Sequence, residues 1–553
     1  MGNFVETTNL NEDLFRLGLS ISSPGEEKRK KEIENFRINS AAEVIKVLRT
    51  ENIGFIADTG TGKTIIAFIV SLVDILLSNK NYRVLFLVPR RGLAHQHKKL
   101  FYKVYKNETI QTEVFIGGVK RREWGNKEIS IIFATPQMFM NDVDRGLASV
   151  EYFDLIVVDE FHRASGKYKY VDITKLAEKF NKKILGLSAS PGGTKEKIDS
   201  LKKNSSIPKF IRAKVETPRK LEDTIFAGLD ETLIDIEQSF FKLFSAVEKK
   251  LEENGIILKK EKKELSQYLL GDMLSILEKV QQYKPITEKE LKMIEESINA
   301  MSKFGRGKWD ALIWYTVYRK LKHAYAICLT ESYFTFLTYV EKLKKDKTKA
   351  SKRIIASSTF QKIISSAEKH RDEHPKILAL IKNARHLYRL KMKTIIFIGE
   401  RITGEYIKGI MNKKIEISEV VFGGQKNTKK QFEAIEKLKN GELMFLISTS
   451  VIEEGLNVPE VNAVVHYSMP INEISRIQRS GRTARIDTGN VVFIVLNHPI
   501  DKALYWMTFR GEKNMVNFLE KIENPELEKH NIPIKNKKKT KRYKETLDLF
   551  DSL

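Results

Sequence analysis

Eight residues constrain this chain more than any others: Ala57-Asp58-Thr59-Gly60-Thr61-Gly62-Lys63-Thr64. The apolar run Ile53-Gly54-Phe55-Ile56 precedes them, and Ile65-Ile66-Ala67-Phe68-Ile69-Val70 follows. That order reads as strand, glycine loop and helix, the setting a phosphate-binding loop requires. Gly60 and Gly62 let successive backbone N–H groups turn inward around a phosphate, with Thr59 and Thr61 between and beside them. The helix N-terminus adds partial positive charge. Lys63 supplies a point charge for the β- and γ-phosphates of ATP, and Thr64 offers a hydroxyl to Mg²⁺.

The remaining sequence places this unit in a larger frame. Between about residues 30 and 205, short apolar runs alternate with helical stretches, among them Val84-Leu85-Phe86-Leu87-Val88, Ile129-Ser130-Ile131-Ile132-Phe133 and Leu155-Ile156-Val157-Val158. Continuous apolar strands between helices predict an α/β fold with a parallel sheet covered on both faces. From 206 to 375 helical periodicity takes over. Ile236, Phe240 and Phe244 recur every fourth residue and share one helix face. Trp309, Trp314, Tyr315, Tyr318 and Tyr325 in this stretch read as core, the commoner role of aromatics at helical spacing. Strand-like runs resume after 376, at Thr394-Ile395-Ile396-Phe397-Ile398, Met444-Phe445-Leu446-Ile447, Ala463-Val464-Val465 and Val491-Val492-Phe493-Ile494-Val495. The expected division is an α/β unit over 1–205, an all-helical insertion over 206–375, a second α/β unit over 376–524 and a basic flexible tail over 525–553.

Composition narrows the partners. Lysine and arginine exceed aspartate and glutamate by 25 charges, so a polyanion is the expected ligand. Cys328 is the single cysteine, which excludes intramolecular disulfides and thiolate metal clusters and fits a reducing cytoplasm. No apolar run approaches the roughly 20 residues of a membrane-spanning helix, and the N-terminus lacks the basic-then-apolar pattern of a signal peptide.

Chemistry gathers at a second strand end, Leu155-Ile156-Val157-Val158-Asp159-Glu160-Phe161-His162. Asp159 is placed to hold Mg²⁺, directly or through water, and Glu160 to accept a proton from an attacking water. Asp-Glu-x-His downstream of Ala-x-Thr-Gly-x-Gly-Lys-Thr resembles the superfamily 2 helicases. Further stretches agree in order. Ser188-Ala189-Ser190 resembles the motif that couples hydrolysis to nucleic-acid binding. Thr449-Ser450-Val451-Ile452-Glu453-Glu454-Gly455-Leu456-Asn457-Val458-Pro459 and Gln478-Arg479-Ser480-Gly481-Arg482-Thr483-Ala484-Arg485 resemble the fifth and sixth motifs. The resemblance implies two RecA-like motor domains with ATP between them. On that plan Gln478 positions the γ-phosphate or water, and Arg482 and Arg485 are the arginine-finger candidates. A fixed guanidinium there stabilises charge in the phosphoryl-transfer transition state. Ser188 and Ser190 carry the coupling role.

Ser188-Ala189-Ser190-Pro191-Gly192-Gly193-Thr194, His374-Pro375-Lys376 and Phe422-Gly423-Gly424-Gln425 narrow the resemblance to the archaeal Hef helicases and their Fanconi anaemia M, Mph, Dicer and RNA-sensor relatives. These carry a helical insertion between the motors, which in Hef-like proteins grips branched DNA. The resemblance further implies nucleic-acid contacts from Arg90, Gly118, Thr135 and Thr449, and a 3′-to-5′ DNA helicase or translocase acting on forks in repair. Two other functions fit the same motifs: an RNA-stimulated ATPase, and an ATP-gated scaffold that recruits a structure-specific nuclease to branched DNA. Three positions depart from the family. Ser40 stands where an adenine-reading Gln is frequent, leaving Arg37 to stack on the base; Phe161 replaces a small residue; Ala484 replaces Gly. No Glu-Arg-Lys nuclease signature is present, so no cutting is expected. Lys544-Glu545-Thr546-Leu547-Asp548-Leu549-Phe550-Asp551 resembles a sliding-clamp-binding motif, with Leu547 and Phe550 as its apolar plug.

Overall fold

A computed structural model describes residues 27–58, 60–78, 81–105, 109–118, 122–166, 168–192, 195–213, 220–253, 308–415, 418–421, 428–449, 460–470, 472–483 and 489–523. The first sheet is built from β1 (Ile53–Ile56), β2 (Val84–Leu87), β3 (Gln111–Phe115), β4 (Ile129–Ala134), β5 (Leu155–Asp159), β6 (Lys183–Ser188) and β7 (Lys209–Arg212). Its order is β3-β4-β2-β5-β6-β1-β7, and every pairing is parallel. β1, β2 and β5 are buried at every residue, as strands covered by helices on both faces must be. Edge strand β3 instead alternates exposed Gln111 and Glu113 with buried Thr112 and Val114. The covering helices are α1 (Glu27–Leu48), α2 (Lys63–Leu77), α3 (Arg91–Val104), α4 (Pro136–Asp144), α5 (Lys169–Lys179) and α6 (Lys195–Ser205).

Parallel strands with helical crossovers put all their carboxyl ends on one edge. β5, β6 and β1 are neighbours there, with Ile56 opposite Ser188 and Asp159 opposite Leu187. The glycine loop, the acidic pair and the serine motif therefore leave adjacent strands. β3, β4 and β2 occupy the other half of the same edge.

Two strands fall inside the stretch expected to be all-helical. β7 adds to the first sheet beside β1, and β8 (Lys220–Ala227) joins the second sheet beside β13. The expected break at 205 thus precedes the last strand of the first unit. The strand at 220 does not read as one because most of its side chains face outward at a sheet edge. The helices that follow are α7 (Glu231–Glu253), α8 (Lys308–Thr330), α9 (Tyr333–Lys345), α10 (Lys349–Ala356) and α11 (Ser358–Lys369). Ser332, Thr348 and Ser357 each cap the next helix by accepting a backbone N–H. Phe240 lies at the centre, with Tyr325, Phe336 and Phe360 around it at 5.4, 6.1 and 6.4 Å. Trp314, Tyr315 and Tyr318 pack against the same core, as expected, while the side chain of Trp309 lies outside the described residues.

The second sheet comprises β8, β9 (Thr394–Phe397), β10 (Ser418–Val421), β11 (Phe445–Ser448), β12 (Ala463–His466) and β13 (Gly489–Leu496). Its order is β10-β11-β9-β12-β13-β8, again wholly parallel. Its helices are α12 (Pro375–Arg389), α13 (Arg401–Lys414), α14 (Thr428–Asn440), α15 (Glu473–Ser480) and α16 (Pro499–Glu523). The helical bundle shares its core with this unit through Leu496 and Ile500. A buried pair, Lys376 to Asp501 at 2.8 Å, ties α12 to α16, and Asp501 also accepts the Leu496 N–H. From the far end of α16, Met515 enters the core of the first unit.

Candidate nucleotide site between two motor domains

The loop after β1 takes the shape its glycines allow. Gly60 and Gly62 have φ of 88° and 97°, the left-handed region in which a side chain is strained. A side chain at 62 would also strike Arg37, whose Nε lies 2.5 Å from the position of an added Cβ. Thr61 Oγ1 donates to the Asp58 carbonyl at 2.8 Å, and Lys63 Nζ donates to the Ala57 and Asp58 carbonyls at 2.9 and 3.2 Å. Thr64 follows in the first turn of α2. Arg37 braces the loop from beneath: it is 6% exposed and its Nε donates to the Thr61 carbonyl at 3.3 Å. Burial lowers its pKa, against the pull of Glu34. Thr59 lies outside the described residues.

The two carboxylates are held differently. Asp159 closes β5 and is buried. Its Oδ2 lies 3.1 Å from His97 Nε2, and its carbonyl accepts the Tyr170 hydroxyl at 2.8 Å. Glu160 has φ 54°, a left-handed conformation for a residue with a side chain, at a cost of about 1–3 kcal/mol. Its Oε2 lies 3.2 Å from His162 Nδ1. Burial favours the protonated acid, but His162, Lys63 and Arg163 together outweigh burial and lower the pKa. A lowered pKa suits a general base, which takes up a proton from its ionised form. His162 Nδ1 also lies 2.9 Å from Ser188 Oγ, which donates to the Ser190 carbonyl at 2.8 Å. Ser190 Oγ in turn donates to the Met515 thioether on α16. A chain of contacts therefore runs from the base through the serine motif to a helix of the second unit.

The large residue at 161 is accommodated locally. Phe161 is fully buried, edge-on to Phe210 at 5.5 Å. An added Cβ on Gly54 of β1 or on Gly186 of β6 would come within 2.8 Å of its ring. Two strand glycines make the space that this ring fills.

Across from this edge, α15 carries Gln478 and Arg479, and Arg482 follows its C-terminal end. Asn472 caps it, and Ile477 packs on the first unit's core. Lys197 of α6 meets Glu473 of α15 at 3.0 Å. Gln478 is 3% exposed, and its Nε2 has no hydrogen-bond partner among the described residues. Arg479 donates to the Ser468 carbonyl at 3.1 Å, and the Arg482 carbonyl accepts from Val461 at 3.3 Å. Arg485, the fifth-motif residues 450–459, residues 422–427 and the tail lie outside the described residues.

The four nucleic-acid candidates all follow strand carboxyl ends. Arg90 precedes α3 after β2, Thr135 precedes α4 after β4, Gly118 follows β3 with φ 101°, and Thr449 follows β11. The first three occupy the β3-β4-β2 half of the edge, beside the nucleotide half.

Sequence reasoning missed His97, Arg476 and Met515. Arg476 is wholly buried: it donates to Glu222 at 2.8 Å and Glu512 at 2.6 Å and stacks on Phe493 at 4.0 Å. It locks α15 to β8 and α16. Its acidic partners are far apart in sequence, so no local pattern could have flagged it.

The family described as type III restriction enzyme, res subunit, matches residues 27–193, and that described as helicase conserved C-terminal domain matches 375–487. The helicase domain of Hef from Pyrococcus furiosus matches with a TM-score of 0.57 and 27% identity, over 84% of this chain and 96% of that domain. This chain is a superfamily 2 helicase of the Hef type. A putative ATP-dependent RNA helicase of Methanocaldococcus jannaschii is 29% identical over 84% of the chain and 58% of its own length. The ATP-dependent DNA helicases mph1 of Neurospora crassa and fml1 of Schizosaccharomyces pombe are 26% and 24% identical, over 79% and 80% of the chain and 39% and 55% of their own lengths. The chain thus spans about half the length of the curated relatives it matches. Among the described residues of this helicase, no helix is long and apolar enough to cross a membrane.

Proposed function

We propose that this helicase hydrolyses ATP to move 3′-to-5′ along DNA and remodels forked or branched DNA. One observation carries the catalytic part: the phosphate loop, the Asp159–Glu160 pair and Ser188 leave three neighbouring strands, with α15 of the second motor docked beside them. Lys63 and the loop amides bind the phosphates, Glu160 takes the proton of the attacking water, and Gln478, Arg482 and Arg485 complete the site from the second motor. Thr64 and Asp159 are hard oxygen donors that fit Mg²⁺. Among the described residues no group of three His, Cys, Asp or Glu could cage a metal, so phosphates and water would fill its remaining positions. Held by Thr64 and Asp159, Mg²⁺ would supply positive charge to offset the negative charge that develops on the transferred phosphate.

The substrate reading rests on the Hef likeness, on relatives named as DNA helicases, and on the excess of 25 positive charges. The helical bundle holds a duplex arm while the motors step along one strand. The tail recruits a sliding clamp, and a structure-specific nuclease acts on the remodelled fork. An RNA substrate is the second reading, favoured by the name of the Methanocaldococcus relative. ATPase rates with single-stranded, duplex, forked and four-way-junction DNA and with duplex RNA, at several salt concentrations, separate them. Stimulation greatest with forks supports the first reading. Stimulation by duplex RNA alone overturns it, and no turnover with any ligand leaves the ATP-gated scaffold.

A further inference from the structure

We propose that His97 is a positioning residue for the nucleotide-bound metal, acting by fixing the carboxylate of Asp159. The inference rests on the reading of Asp159 as the metal-facing acid. His97 lies on α3, 5% exposed, where an aliphatic or aromatic residue would be the ordinary occupant. Phe68, Phe86 and Phe133 surround its ring edge-on, at 6.4, 5.4 and 6.4 Å. Nδ1 is buried without a hydrogen-bond partner among the described residues. Among the described residues, the ring's polar contact is Nε2 to Asp159 Oδ2, at 3.1 Å. A carboxylate only accepts, so Nε2 donates.

A buried histidine can satisfy both of its ring nitrogens. This one leaves a nitrogen orphaned in a phenylalanine cage and spends the other on a single oxygen. The cage removes the ring's freedom, so the donor points one way. Tyr170 fixes the main chain of the same residue through its carbonyl, at 2.8 Å. Asp159 is thereby pinned at both backbone and side chain, leaving Oδ1 as the oxygen to face the metal or its water. Mg²⁺ tolerates little departure from octahedral geometry, so an acid free to rotate would bind it less well. Groups that orient a metal ligand from behind typically contribute 10–100-fold in metal affinity.

The test is binding of a fluorescent ADP analogue to the full chain, titrated with Mg²⁺ and repeated in EDTA. His97→Phe keeps the cage filled and removes the donor. It should raise the Mg²⁺ needed for the half-maximal effect by about 10–100-fold, while affinity in EDTA stays unchanged. His97→Gln carries an amide nitrogen near the Nε2 position and should recover most of the loss. If His97→Phe does not fold, His97→Asn, whose amide stops at the Nδ1 position, should show the same weakened Mg²⁺ response. Wild-type Mg²⁺ dependence in a folded Phe or Asn variant overturns the proposal, as does equal loss with and without metal. Asp159→Asn is the control. Failure of that change to weaken the Mg²⁺ response would overturn the assignment of the acid itself.

Discussion

Gly54 and Phe161 should behave as one unit. A methyl group at 54 would sit 2.8 Å from Phe161 Cζ and 2.8 Å from Phe210 Cδ1, closer than carbon atoms approach without displacement. Neither ring can swing into solvent, since both are buried. Overpacking of this kind costs about 1–3 kcal/mol, so Gly54→Ala should destabilise the first motor by that amount. Phe161→Ala opens a cavity and should cost about 3–5 kcal/mol. In the double variant the new methyl enters the cavity instead of striking a ring. Its cost should therefore fall short of the sum by roughly 1 kcal/mol, limited by the remaining clash with Phe210. Urea unfolding followed by fluorescence of Trp124, buried in the first motor, measures all three. Gly54→Ala should also slow ATP turnover, because displacing Phe161 moves the adjoining Glu160. Additive costs within about 0.5 kcal/mol would refute the steric argument.

Glu160→Gln should retain nucleotide binding and lose roughly two or more orders of magnitude in steady-state phosphate release. Wild-type turnover in that variant would remove Glu160 from the mechanism. Glu331, buried between α8 and α9, is pushed up to about 7 by burial, against the pull of Lys376 and of the Ser468 and Thr403 hydroxyls. The folded state therefore holds a proton that the unfolded chain has released. Stability should fall as pH rises from about 4.5 to about 7 and level off above, by about 3 kcal/mol. Glu331→Gln should flatten that slope in thermal melts across pH, and an unchanged slope would contradict it.

The strands that carry the chemistry were legible because burial on both faces leaves an unbroken apolar run, as at Val84–Leu87 and Leu155–Asp159. The glycine loop and the acidic pair could be read for the same reason, since each directly follows such a run. β8 could not. Lys220, Glu222 and Asp223 interrupt its apolar residues, and its pairing partner lies more than 260 residues away. His97 was invisible because its role depends on Asp159, 62 residues downstream. The contact of Arg37 with the phosphate loop was not legible either. The placement of Arg37 against Thr61 depends on how α1 packs beside the loop, and no local pattern encodes that packing.

The position of β8 has a mechanical consequence. Because β8 precedes the helical bundle and α12 follows it, both ends of the bundle are rooted in the second sheet. The bundle is a module inserted within the second motor, and an excision that begins before residue 220 would strip an edge strand from that motor. A tug on the bundle reaches β8 at its carboxyl end, along the strand axis. Eight consecutive residue pairs join β8 to β13, from Lys220 opposite Gly489 to Ala227 opposite Leu496. Load along that axis shears the whole row at once instead of unzipping it rung by rung. A load on the bundle along that axis is therefore delivered to the second motor as to a rigid anchor.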